Sequence, residues 1–98
     1  MAYEYSEKDV GPGWASLVKP LIERAKAEGI DIRQIKEKFG GLRFYTGPAP
    51  ESFYNDIDAA EKASMKTCEE CGQPGKTRNT DGWMRTRCDA CITNLDAF

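Results

Sequence analysis

Four cysteines stand in two matched pairs, Cys68-Glu-Glu-Cys71 and Cys88-Asp-Ala-Cys91, which together read C-x2-C-x16-C-x2-C. Thiolates are strong zinc ligands, and a C-x2-C turn presents two of them on one side of a metal. Two such turns joined by a short hairpin complete a tetrahedron of sulfur around one ion. The chain holds no other cysteine and no histidine. Cys68, Cys71, Cys88 and Cys91 are therefore the expected ligands of one structural Zn2+. Four protein ligands leave no open position for water or substrate, so the motif points to binding or scaffolding rather than to metal-assisted chemistry. Two disulfides are the rival reading. The stretch Met1 to Val10 is charged and aromatic with no apolar run, so the expectation is a cytoplasmic protein, where cysteine pairs serve metals more often than disulfides.

Other chemistry is thinly supplied. Without histidine the commonest general base is missing. Asp56 and Asp58 lie two apart on an expected helix and diverge. No Gly-rich phosphate loop or nucleophile elbow is present. The expectation is a protein that is not an enzyme and has no small-molecule substrate.

The elements that must position the cysteines can be read from periodicity. At 98 residues and 40% hydrophobic content, the chain suits one small folded domain. No apolar stretch approaches the ~20 residues that span a bilayer. Residues 1–12 read as an acidic arm carrying Tyr3 and Tyr5, either poorly ordered or packed as an edge segment. From Trp14 the apolar residues Leu17, Val18, Leu21, Ile22 and Ala25 recur at helical spacing, and Gly29 is the expected C-terminal cap. Pro20 either kinks this helix or opens it after a preceding turn. Ile30 to Phe39 favours a strand, with a helical turn near Gln34 as the alternative because the alternation is imperfect. Gly40-Gly41 is a two-residue hairpin signal, and Leu42 to Thr46 is the return strand. That register sets Phe39 opposite Leu42 and Glu37 opposite Phe44. Ile35, Phe39, Leu42 and Phe44 then share a core face, and Lys36, Lys38, Arg43 and Tyr45 share the outer one. Gly47-Pro48-Ala-Pro50 stops the strand, and Glu51 to Met65 returns to helical period through Phe53, Ile57, Ala60 and Ser64. Lys76–Arg78 and Trp83–Arg87 are short strands around a turn at Asn79–Gly82. Trp83 is expected to pack over the metal knuckle, and the tail ends in Leu95 and Phe98.

The whole is an α+β domain of two helices and a β-hairpin with a C-terminal four-cysteine zinc ribbon. Its divisions are an arm at 1–12, a helix–hairpin–helix core at 13–66 and a ribbon at 67–98 packed on the core. Net charge is −2 and the isoelectric point is about 5.2, which speaks against strong global attraction to nucleic acid. A local basic surface is still offered by Lys36, Lys38, Arg43 and Tyr45 together with Arg78, Arg85 and Arg87. The plain readings of these residues are a solvated sheet face and cations that stabilise a tetrathiolate site.

The segment Lys36-Glu-Lys-Phe-Gly-Gly-Leu-Arg-Phe-Tyr45, followed by Cys68-x-x-Cys-Gly-x-Pro-Gly75, Gly82-Trp83 and Arg85-Thr-Arg-Cys88, resembles a group of short zinc-ribbon proteins of bacteriophages, prophages and bacterial genomes. The resemblance runs from about Trp14 to Cys91. Some members end the ribbon in histidine where this chain has Cys91. It implies a zinc ribbon and a phage or prophage accessory protein in the host cytoplasm. Such a protein would bind and modulate or inhibit a host protein, an anti-defence role being one form, but the resemblance implies no activity. A nucleic-acid-binding ribbon is the alternative, and a structural subunit of a larger assembly is a third class.

Overall fold

The computed structural model describes residues 4–80 and 82–91. Tyr3 of the arm, Asp81 of the second turn, and Leu95 and Phe98 of the tail lie outside the described residues. The order is a 3-10 turn at Glu7–Asp9, another at Pro12–Trp14, α1 (Ala15–Glu28), β1 (Ile32–Lys38), β2 (Gly41–Thr46), α2 (Glu51–Ser64), β3 (Lys76–Thr80) and β4 (Trp83–Arg87). β1 pairs with β2 and β3 with β4, giving two separate antiparallel hairpins. With the cysteines at its C-terminal end, this is a small α+β domain. Among the described residues no helix is long and apolar enough to cross a membrane.

α1 forms where the apolar residues recur three and four apart, and Val18, Leu21, Ile22 and Ala25 are all buried. Gly29 ends it with φ 69°, a left-handed conformation that glycine adopts without a Cβ penalty. The helix runs unbroken through Pro20. A proline there leaves the Ser16 carbonyl without its helical donor. Both residues are exposed, so water can satisfy that acceptor. Ahead of α1, the Ser6 side chain and the Asp9 carboxylate close a capping box around the first 3-10 turn. Tyr5 and Val10 pack against the core.

The first hairpin turns one residue earlier than the Gly-Gly pair suggests. Lys38 pairs with Gly41, so Phe39 and Gly40 make the turn, with φ 53° and 81°. The pairing is Ile35 with Phe44, Lys36 with Arg43 and Glu37 with Leu42. This register sets two apolar residues, Ile35 and Phe44, against each other, where the expected one opposed Phe44 with a carboxylate. Glu37 finds a better use, since its Oε2 accepts the Gly40 N–H at 2.8 Å. A Cβ on Gly41 would lie 2.8 Å from Met65 Sδ, so that flexible side chain would have to shift. Moving the turn by one position changes each partner by two, so the faces keep their parity. Ile35, Leu42 and Phe44 are buried as expected, but Phe39, expected in the core, is 66% exposed at the turn.

α2 lies along the free edge of β2. Ser64 Oγ accepts the Leu42 N–H at 2.9 Å and Glu61 Oε2 accepts the Phe44 N–H at 3.1 Å. Side chains of the helix thus occupy donors that an edge strand would otherwise expose. This accounts for a serine that is fully buried at the end of an apolar stripe. Phe44 meets Phe53 edge-to-face, with centroids 6.3 Å apart. Trp14, Val18, Leu21, Ile22, Ala25, Ile35, Leu42, Phe44, Phe53 and Ile57 form one continuous core.

Candidate metal centre

The knuckle that carries Cys68 and Cys71 is built by backbone hydrogen bonds. Cys68 N–H donates to Gln73 O at 2.8 Å and Gly72 N–H to Cys68 O at 3.0 Å. Gly72 has φ 81°, so the chain can reverse tightly around the pair. Thr67 bridges Pro74 on the far side. β4 delivers Cys88 directly after Arg87, and Cys91 follows one turn later. The two pairs converge, and the four sulfurs all lie within 4.8 Å of one another. Cys71 Sγ and Cys88 Sγ are 3.5 Å apart. A tetrahedron with Zn–S bonds of about 2.3 Å has edges of about 3.8 Å. The spacing therefore suits four sulfurs around one ion, and all four cysteines are free of disulfides. The donor set fits zinc: four soft anionic ligands, no oxygen donor among them, and no place left for a fifth.

The thiols alone share protons unequally. Burial opposes ionisation of Cys68, yet the Cys71 and Cys88 amides and the neighbouring thiols bring it down to about 7. Cys88 is lowered too, first by the Cys91 amide. Cys71 is raised: the Gln73 amide favours its thiolate, but protons shared with Cys88 and Cys68 outweigh that. Cys91 is pushed up to about 12, chiefly by its hydrogen bond to Cys88. One thiolate in each pair is favoured and its neighbour is held protonated, as expected where four like charges crowd together. A dication removes that conflict.

Several residues that hold the knuckle carry no metal-ligand signal in the sequence. Gly13 N–H donates to Glu69 O at 2.7 Å. A Cβ on Gly13 would stand 2.0 Å from Cys68 O and 2.5 Å from Gly72 N, so only glycine permits this approach. Trp14 is fully buried, and its Nε1–H donates to Thr67 O at 2.8 Å. Thr86, also fully buried, accepts the Glu69 N–H on its carbonyl at 2.9 Å, and its hydroxyl bonds Gly40 O and Thr77 Oγ1. The Gly-Pro-Gly-Trp run was the available clue to this docking. Nothing marked Thr86, which reads as an ordinary strand residue.

The structure divides the expected basic surface. Arg87, expected to be exposed, is only 7% exposed, with its guanidinium 3.6 Å from Glu69 Oε2 and 2.6 Å from Glu70 Oε1. The knuckle closes over the end of β4, so the residue next to Cys88 is buried with it. Burial pushes the Glu69 carboxyl up to about 7 against the pull of Arg87 and Arg85. Arg78 is held by Asp89 and by the Arg87 carbonyl at 3.2 Å. Arg85 lies over the Trp83 ring, 5.7 Å from its centroid. Trp83 does not cover the knuckle: it pairs with Thr80 at the opposite end of the hairpin and is 60% exposed. Trp14, in the core, reaches the start of the knuckle instead, its Nε1–H donating to Thr67 O. On the first hairpin, Lys36 sits opposite Arg43 and Tyr45 opposite Gln34, on the side away from the core, and Lys38 follows at the turn.

No protein-family model matches the chain, and neither a characterised protein nor a solved structure gives a match.

Proposed function

We propose that this chain is a zinc-stapled, non-enzymatic binding module whose C-terminal part is a zinc ribbon. The observation that carries the reading is the convergence of Cys68, Cys71, Cys88 and Cys91, with all four sulfurs within 4.8 Å of one another. Four thiolates close the coordination sphere, so the metal holds the fold and does not meet a substrate. The likeness of Lys36–Tyr45 and the cysteine segment to short phage and bacterial proteins supports an accessory role, in which the module modulates a host component by binding it. An acidic host protein and a nucleic acid both suit the cations of the first hairpin. The exposed rings of Phe39 and Trp83 favour the nucleic acid.

Native mass spectrometry and elemental analysis of the purified chain test the metal reading. The expected result is one zinc per chain, with thiols that become titratable only after chelation. A folded, metal-free protein with two disulfides would overturn it.

A further inference from the structure

The tip of the first hairpin rests on the strands of the second. The Thr86 hydroxyl holds the Gly40 carbonyl, and a Cβ on Gly40 would lie 3.2 Å from the Arg85 backbone and 3.1 Å from Thr77 Cγ2. Glycine at this position lets the first turn rest directly on β4. The contact leaves a surface cleft of about 340 Å³ lined by Glu37, Lys38, Phe39, Gly82, Trp83 and Met84.

Two large aromatic residues are left exposed at this cleft, Phe39 at 66% and Trp83 at 60%. Phe39 is also the one non-glycine residue with a positive φ among the described residues, at 53°. A bulky residue there is strained where asparagine or glycine would be relaxed. The fold therefore accepts strain to display a ring in water. A cation rides on each ring: Lys38 Nζ is 5.5 Å from the Phe39 centroid, and Arg85 Cζ is 5.7 Å from that of Trp83.

The cations of the two hairpins are set against one another, with Glu37 a carboxylate in the cleft lining. Lys36 faces Arg43 across the first hairpin, and Arg78 faces Arg85 across the second. Like charges directly opposite destabilise a sheet. Arg78 has Asp89 as a counter-ion. Lys36, Lys38, Arg43 and Arg85 have no carboxylate within ion-pair distance among the described residues. An anionic ligand would relieve that repulsion.

We infer that the cleft between the first turn and the second hairpin binds unpaired nucleotides, with bases stacking on Phe39 and Trp83 and phosphates met by Lys38 and Arg85. Exposed rings interleaved with cations are the arrangement that holds single strands without reading sequence. An acidic protein would answer the charge but has no need of two displayed, cation-backed rings. The inference rests on the binding-module reading and names its ligand class. Because the chain is acidic overall, attraction is confined to this face and binding weakens steeply with salt.

The test uses the full zinc-loaded chain and fluorescein-labelled oligo-dT, oligo-U and a duplex of the same length, at about 50 mM and about 200 mM salt. Zinc content and circular dichroism are measured on the same samples. The expected result is binding of both single strands in preference to the duplex, with quenching of tryptophan emission that disappears in Trp83→Phe. Trp14, which is fully buried, is the silent residue left in that variant. Phe39→Asn should relax the turn and raise the melting temperature while weakening binding about tenfold or more. Trp83→Ala should weaken it comparably, and Trp83→Phe should restore most of it. A folded, zinc-loaded protein that binds neither strand overturns the inference and leaves the metal reading standing. Binding without zinc does the reverse. The inference also falls if Phe39→Asn binds as tightly as the parent, or if polyglutamate competes as well as oligo-dT, which would indicate an acidic protein as partner.

Discussion

Thr86 is the residue on which three parts of the molecule close. Its carbonyl takes the Glu69 N–H of the knuckle. Its hydroxyl reaches the Gly40 carbonyl of the first turn and Thr77 of the neighbouring strand. A buried acceptor that loses its donor costs about 1–3 kcal/mol. Thr86→Val keeps the shape and removes the hydroxyl, so denaturant unfolding should show a loss of that size, and a change under about 0.5 kcal/mol would mean that water already serves Gly40. The two phenylalanines of the first hairpin should behave oppositely under the same assay. Phe44 is 3% exposed and packs on Phe53, so Phe44→Ala should cost about 3–5 kcal/mol. Phe39 fills no cavity, and Phe39→Ala should stay within about 0.5 kcal/mol of the parent. Equal losses at both positions would contradict the observed register.

At the scale of elements, periodicity carried the helices and strands because each buries one face against the others. The α1 stripe, the Gly29 cap, the Phe53–Ser64 stripe and the alternation of the first hairpin were all legible for that reason. The position of the turn was not, because two glycines compete for it. What goes with the observed register is the pairing of Ile35 with Phe44 and the hold of Ser64 and Glu61 of α2 on the Leu42 and Phe44 amides, and the second of these is tertiary. The cysteine spacing was legible because metal geometry is local. The burial of Arg87 was not, since it depends on Glu69 and Glu70 closing over β4. Nor was the seat of the knuckle on Gly13, which comes from a segment more than fifty residues away. That contact makes a sharp prediction. Gly13→Ala would place a Cβ 2.0 Å from Cys68 O, so the Pro12–Trp14 turn and the knuckle must separate. Overpacking of this kind costs about 1–3 kcal/mol. Thermal melts should show that loss, and competition with a chromogenic chelator should show faster metal release. A variant that melts and releases metal like the parent would mean that the knuckle holds itself without the turn.

The molecule as a whole joins two units of different self-sufficiency. Residues 15–64 own an apolar core drawn from α1, β1, β2 and α2. Among the described residues, 67–91 contribute Cys68 as their one buried hydrophobic residue, with Thr86, Arg87 and Glu69 as the rest of their buried interior. A unit so poor in apolar burial needs a staple, and structural zinc is worth on the order of 10–16 kcal/mol in small peptides. Chelation should therefore melt the second hairpin and knuckle first. Trp14 belongs to both units, lying in the apolar core while donating to Thr67 O. Its end of α1 should loosen when the metal leaves. Amide exchange with and without chelator would resolve this. Protection should vanish across residues 67–91, fall at 13–16, and persist at Leu21, Ile22, Ile35 and Ile57. The remaining core is small enough to be only marginally stable, so its own denaturant midpoint should drop as well. Loss of protection at a single rate along the whole chain would instead make the molecule one cooperative unit, with zinc holding the helices as tightly as it holds the cysteines.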